Sequence, residues 1–91
     1  MTIWKFELAV TDSQVLRVPV GAVFLSVQIQ RNAICAWAVV DESRPMEDRT
    51  FNIFGTGNPI SGNGAMAVAL GRYLGTVQQS GGNLVWHVFM R

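Results

Sequence analysis

Val23-Phe24-Leu25-Ser26-Val27-Gln28-Ile29-Gln30-Arg31-Asn32-Ala33-Ile34-Cys35-Ala36-Trp37-Ala38-Val39-Val40 reads as two strands joined by a turn at Arg31-Asn32. A two-residue turn there sets Gln30 opposite Ala33 and Ile29 opposite Ile34. Side chains alternate across a strand, so Val23, Leu25, Val27 and Ile29 then share a face with Ile34, Ala36, Ala38 and Val40, and that face is expected to be core. The opposite face would carry Phe24, Ser26 and Gln28 beside Cys35, Trp37 and Val39. Such a mixture of amide, hydroxyl and aromatic groups suits a subunit contact or a ligand wall. The assignment depends on register, because a slip of one residue exchanges the two faces.

Working outward, Trp4, Phe6, Leu8 and Val10 recur at every second position with Lys5 and Glu7 between them, the period of a half-buried strand. Thr11-Asp12-Ser13 interrupts it, and Gln14 to Val18 resumes as a short strand that Pro19 assigns to an edge. After the central hairpin, Asp41 to Asp48 reads as a charged loop around Pro45. Thr50 to Phe54 reads as a strand with Phe51 and Ile53 on one face and Asn52 and Phe54 on the other. Residues 55–71 form a long Gly-rich loop in which only Ala65 to Leu70 could make a helical turn. Arg72 to Gln79 and Asn83 to Phe89 flank Gly81-Gly82 as a closing hairpin, with His87 across from Thr76. The last strand is apolar on both faces, which predicts a place inside a sheet or between subunits. The expected architecture is all-β, a single domain over residues 1–91, with about six or seven antiparallel strands in a small sandwich or open barrel.

Of the 91 residues, 14% are charged and 49% are hydrophobic. Soluble domains carry roughly 25% charge, so the chain is expected to hide apolar surface by associating with itself as a homo-oligomer. The formal charge is +1. Its cations are scattered, with no basic tract to follow a duplex nucleic-acid backbone. Cys35 is the only cysteine, so no intramolecular disulfide forms and the thiol reads as core. No signal-like start and no apolar run of about 20 residues is present, which predicts a cytoplasmic protein without a membrane contact.

The candidate site is the loop Gly55-Thr56-Gly57-Asn58. Glycines beside Thr56 allow backbone N–H groups to converge, and Thr56 and Asn58 add side-chain donors suited to an anion or phosphate. Arg49 and Arg72 flank the region and could supply charge in a two-point guanidinium contact, while Trp37 could supply a stacking surface. A plain tight turn with solvated arginines is the simpler reading of the same residues. The tract lacks a following Lys-Ser/Thr, which excludes a nucleotide-hydrolase loop. His87 has no nucleophile placed beside it by spacing, and no catalytic residue, metal ligand or cofactor is assigned.

Several blocks together carry a resemblance. They are Ile3-Trp4-Lys5-Phe6, Gly21-Ala22 with Leu25-Ser26-Val27-Gln28, Trp37-Ala38-Val39-Val40-Asp41, Arg49-Thr50-Phe51 through Gly55-Thr56-Gly57 with Pro59-Ile60, Tyr73-Leu74-Gly75-Thr76 and Leu84-Val85-Trp86-His87-Val88-Phe89. Over nearly its whole length the chain is similar to small β-domain proteins encoded by phages and prophages, and Ser61 to Met66 departs from their pattern. The resemblance implies a phage origin and a compact β domain, and it brings no activity. The expected function is non-enzymatic sequestration of a small anionic ligand, a nucleotide or cyclic nucleotide immune signal, in the host cytoplasm. The alternative is a protein-interaction module acting as a minor structural subunit or an inhibitor of a host protein.

Overall fold

The computed structural model describes residues 1–60 and 62–91. Among the described residues its strands are β1 (Thr2–Leu8), β2 (Gln14–Pro19), β3 (Val23–Gln30), β4 (Ala33–Val40), β5 (Met46–Gly55), β6 (Arg72–Gln79) and β7 (Leu84–Met90), with one α-helix, α1 (Asn63–Leu70), and a 3-10 turn at Ser80–Gly82. A three-stranded sheet has the order β1-β4-β3 and a four-stranded sheet the order β2-β5-β7-β6. Every strand pairing is antiparallel. The all-β reading therefore holds, with β2 at a sheet edge and β7 inside its sheet. Among the described residues no helix is long and apolar enough to cross a membrane.

The central hairpin turns where the sequence indicated. Gln30 faces Ala33 and Ile29 faces Ile34, while Arg31 and Asn32 both take positive φ, 51° and 62°. Two consecutive left-handed residues give a turn whose twist matches that of the flanking strands, and asparagine tolerates the conformation better than most side chains.

The faces expected from simple alternation hold from Ser26 to Ile29 and fail at Val23, Phe24 and Leu25. A register shift lies between Phe24 and Ser26, so Leu25 is an extra residue on β3 and the alternation reverses across it. Phe24 turns inward and is 1% exposed, whereas Val23 and Leu25 face outward at 52% and 54%. The reason lies in packing. Phe24 meets Phe51 edge to face, with centroids 5.1 Å apart at 72°, and the Phe6 ring centre lies 5.6 Å from it, tilted at 46°. Burying an aromatic ring of this size contributes about 2–3 kcal/mol, more than a valine or leucine in its place would.

The core joins both sheets through Leu8, Val18, Phe24, Val27, Ile34, Phe51, Val77, Val88 and Met90, with Trp4, Phe6 and Trp86 packed against it. Beyond the hydrogen-bonded ladders, β3 lies against β6. Gly75 permits the approach, since a Cβ there would sit 2.6 Å from Val27 Cγ1. That is well inside van der Waals contact.

Two segments differ from their sequence reading. Strand β5 starts at Met46, so the charged loop covers only residues 41–45. The register sets Arg17 opposite Asp48, and the pair forms an ion pair of 2.9 Å. Val20 donates its N–H to the Pro45 carbonyl at 2.8 Å. Residues 63–70, expected to be mostly irregular, form helix α1. Eight residues are too few to hold a helix alone, so packing has to supply the stability. Gly64 lets the helix backbone approach β5, a Cβ there falling 3.3 Å from Phe54 Cε1. The expected conformation at Ser61 falls outside the described residues.

Candidate functional site

Strand β5 changes partners along its length. Its first half pairs with β2 and its last part with β7, and only Phe51 has a partner on both sides, Gln14 and Met90. Past Phe51 the β2 side of this strand is open, and loops gather there. The β1–β2 connection, Val10 to Ser13, forms one wall, and Asn58 to Ile60 with Gly64 and Met66 forms the other. Between them lies a cleft of about 860 Å³, with Thr50, Asn52 and Phe54 from β5, Trp86 from β7, and Arg91. This volume falls within the range of small-molecule pockets.

Asn52 organises one wall. It is 8% exposed, and its Nδ2 donates to the Asp12 carbonyl at 3.0 Å. A buried amide costs stability unless paired, so this bond both satisfies Asn52 and holds the β1–β2 connection over the sheet. Gln14 closes the same connection, donating to the Ala9 carbonyl at 2.7 Å and accepting from the Ala9 N–H at 2.9 Å. Among the described residues no buried side-chain nitrogen or oxygen lacks a partner. Of the residues lining the cleft, Asp12 and Arg91 are the ionisable ones, one of each sign.

The loop Gly55-Thr56-Gly57-Asn58 sits at the end of the cleft as a tight turn. Asn58 donates its N–H to the Gly55 carbonyl at 3.1 Å, and Gly57 has φ +85°, the left-handed position that a type II turn reserves for glycine. Gly55 is pinned for a different reason. A Cβ there would meet Asn58 Nδ2 at 2.6 Å and Trp86 Cζ3 at 3.0 Å. The Thr56 N–H is bound to the Val85 carbonyl at 3.1 Å. Two backbone donors of the turn are thus engaged within the protein. Gly55 and Asn58 line the cleft.

The Thr56 side chain enters a chain of hydrogen bonds across the outward face of β7. Its Oγ1 lies 2.6 Å from His87 Nε2. His87 Nδ1 lies 3.0 Å from Thr76 Oγ1, which in turn lies 2.5 Å from the Tyr73 hydroxyl. A neutral imidazole donates from one nitrogen and accepts at the other, and a hydroxyl can do either, so the chain satisfies both tautomers. It ties the corner of the 55–58 turn to β7 and β6. The expectation that Thr76 stands across from His87 is met.

The remaining candidates lie apart. Arg49 donates from Nε to the Arg91 carbonyl at 2.7 Å, and its guanidinium carbon is 5.9 Å from the centre of the Phe24 ring. It braces the chain next to the cleft. Arg72 opens β6 opposite Met90, and Trp37 lies between Lys5 and Ser26 on the three-stranded sheet. Neither lines the cleft. Cys35 is buried as expected. Among the described residues no group of three His, Cys, Asp or Glu side chains is arranged to hold a metal.

Sequence reading missed Asn52, Asp12 and Arg91. Asn52 left a signal, a lone amide inside the otherwise apolar Phe51 to Phe54. A polar group in such a run needs a partner from outside its own strand. Asp12 and Arg91 left none, because the β1–β2 loop brings Asp12 over β5 while the β5–β7 pairing, continued by the Arg91 N–H to the Thr50 carbonyl at 2.9 Å, brings Arg91 to the same cleft.

Comparison with known proteins adds one family. The chain belongs to the family described as a domain of unknown function, DUF7352, whose model matches residues 1–91. Searches of curated proteins and of solved structures return no match.

Proposed function

We propose that this DUF7352 member is a binding module that holds a small polar ligand in the cleft at the open side of β5. The carrying observation is the cleft itself, about 860 Å³ in volume, with aromatic groups at Phe54 and Trp86, amides at Asn52 and Asn58, and opposite charges at Asp12 and Arg91. Arg91 would pair with an anionic group, phosphate being the fit for a planar guanidinium. Asp12 would accept from a sugar hydroxyl or an exocyclic amine, and Trp86 would face a base. A nucleotide or cyclic nucleotide offers all three. The 55–58 turn contributes the Asn58 amide, and its backbone supports the wall.

The resemblance to phage proteins extends this proposal to its role. A phage product that holds a nucleotide signal without changing it would lower the free signal in the host cytoplasm. Binding requires complementary donors and contact surface rather than tuned acids and bases, and the former are what the cleft offers.

Native mass spectrometry of the protein with a panel of nucleotides and cyclic oligonucleotides tests the proposal. One member should be retained at fixed stoichiometry and released unchanged on denaturation. Arg91→Ala and Asn58→Ala should each weaken it about tenfold, the loss of one charged or well-placed hydrogen bond. Trp37→Ala should leave it intact. Retention of nothing in the panel, or release of a converted product, would overturn the reading.

One feature favours the protein-interaction reading. Ile3 and Val23 flank Val39 in register on the three-stranded sheet, and Ile3, Val23 and Leu25 are each more than half exposed. Adjacent exposed apolar side chains on one sheet face suit contact with a protein. Loss of partner capture on Leu25→Asp, with ligand retention unchanged, would support that role.

A further inference from the structure

Strand β1 ends the three-stranded sheet. It pairs with β4 along its whole length, Thr2 with Val40 through Leu8 with Ile34, and among the described residues no strand pairs with its other side. Such an edge presents unpaired N–H and C=O groups, a template for another strand. Natural sheets often blunt edges with charge. Here the exposed Lys5, whose Nζ donates to Gln30 Oε1 of β3 at 2.7 Å and would exchange that partner for a carboxylate on pairing, and Glu7 occupy the outward face, while Trp4 and Phe6 are half-buried on the inward face at the rim of the core.

Those two charges discriminate among possible neighbours. An antiparallel copy of β1 centred on Lys5 would place Lys5 against Lys5, and centred on Glu7 it would place Glu7 against Glu7. Like charges directly opposite are destabilising. Centred on Phe6, Lys5 falls opposite Glu7 of the second copy and Glu7 opposite its Lys5. The same register sets Trp4 opposite Leu8 and Phe6 opposite Phe6. Inward residues then meet inward residues, so both cores stay on one side of the joined sheet. Registers displaced by an odd number of residues would turn the two cores to opposite sides.

We infer that the β1 edge is a homodimer interface, in which two copies join antiparallel about a twofold axis at Phe6 and merge their three-stranded sheets. A second copy of this chain is the occupant because the edge complements its own charge pattern in one register. Pairing would also cover Trp4 and Phe6, whose rings lie 6.2 Å apart, with Phe6 packed on the buried Phe24. An isologous contact of this kind closes at two subunits and leaves no free β1 edge for further growth. The interface is independent of the cleft and stands whether or not a nucleotide binds there.

Analytical ultracentrifugation of the full chain across concentration, at low salt, tests the pairing. Wild type should dimerise. Lys5→Glu sets glutamates opposite one another twice and should raise the dissociation constant about tenfold or more, and Glu7→Lys should do the same with lysines. The exchange Lys5→Glu with Glu7→Lys should return it to near the wild-type value. Thermal unfolding confirms that each variant is folded. On mild oxidation, a mixture of Lys5→Cys and Glu7→Cys chains should form an intersubunit disulfide, these positions being directly opposite, whereas Lys5→Cys alone, whose copies would lie diagonally about 7–8 Å apart, should not. A monomer at every concentration, a dimer indifferent to either single charge reversal, a double exchange that restores nothing, or cross-linking of Lys5→Cys alone would overturn the inference.

Discussion

The outward faces of the two sheets are built on the same alternation, yet they differ in chemistry. On the three-stranded sheet Ile3, Val39 and Val23 stand in register, and Ile3 and Val23 are 58% and 52% exposed. On the four-stranded sheet the corresponding rows are Phe54, His87 and Thr76, then Asn52, Phe89 and Tyr73. Phe54 and Asn52 are buried there, although they point away from the shared core. The difference is cover. Helix α1 packs on β7, Gly64 brings it against Phe54, and the β1–β2 connection lies over Asn52. Phe89 joins the layer beneath, 6.0 Å from Phe54 and 5.5 Å from Tyr73 between ring centres. Polar side chains persist in that face because each finds a partner, and the cleft is where the cover stops short.

The largest effect is expected where both faces depend on one residue behind them. Phe24→Ala empties the contact with Phe6 and Phe51 and should lower stability by about 3–5 kcal/mol in denaturant unfolding, exposing both sheets together. Asn52→Ala strikes only the covered face. It removes the bond to the Asp12 carbonyl and should cost roughly 1–2 kcal/mol, with faster hydrogen exchange confined to residues 9–13. Thr76→Val keeps the shape of the side chain but leaves His87 Nδ1 and the Tyr73 hydroxyl without that partner. A loss of about 1 kcal/mol is expected, with chemical-shift changes reaching Thr56 through the imidazole. Leu25→Thr on the open face should fall within about 0.5 kcal/mol of wild type, since nothing covers it. A cost near that of Asn52→Ala would mean that the open face is covered in solution.

The smallest effect belongs to the turn after β4. The Asp41 carboxyl is held below its ordinary value of 3.8, chiefly by the hydrogen bond from the Ser43 hydroxyl and then by the Ser43 N–H. A lowered folded value means that the interaction stabilises the fold above the ordinary carboxyl value and is lost as pH falls through the folded one. An NMR titration of Asp41 should show the depression, and Ser43→Ala should bring the carboxyl back toward 3.8 with little change in stability at neutral pH.

Much of the fold was legible because local signals agreed with one another. Alternation at Trp4, Phe6 and Leu8, Pro19 at the end of β2, and glycines before β7 each point to the observed element. The Arg31-Asn32 turn was legible without a glycine, since the strands on both sides demanded a two-residue connection. The inward placement of Phe24 was not. A bulge adds one residue without altering composition, and what selects it is the space beside Phe6 and Phe51, contributed by strands far apart in sequence. Helix α1 was hidden for a similar reason, because its short span draws its stability from the sheet it covers. Of the candidate site, the 55–58 turn was visible through its glycines, and the pairing of Thr76 with His87 through the closing hairpin. The engagement of Thr56 with His87 was not visible, because the end of β5 must first be set beside β7.

By itself, then, the sequence determined the class of fold, the strands, the two hairpins and the apolar excess, all consequences of side-chain period and turn chemistry acting over neighbouring residues. Tertiary structure alone decided which side of β3 faces the core, which of two similar sheet faces is covered, and that Asp12, Asn52, Asn58 and Arg91 share one cleft. Those outcomes rest on volume and on hydrogen-bond partners supplied by distant segments, and no local pattern encodes the shape of a space that forms only when the strands meet.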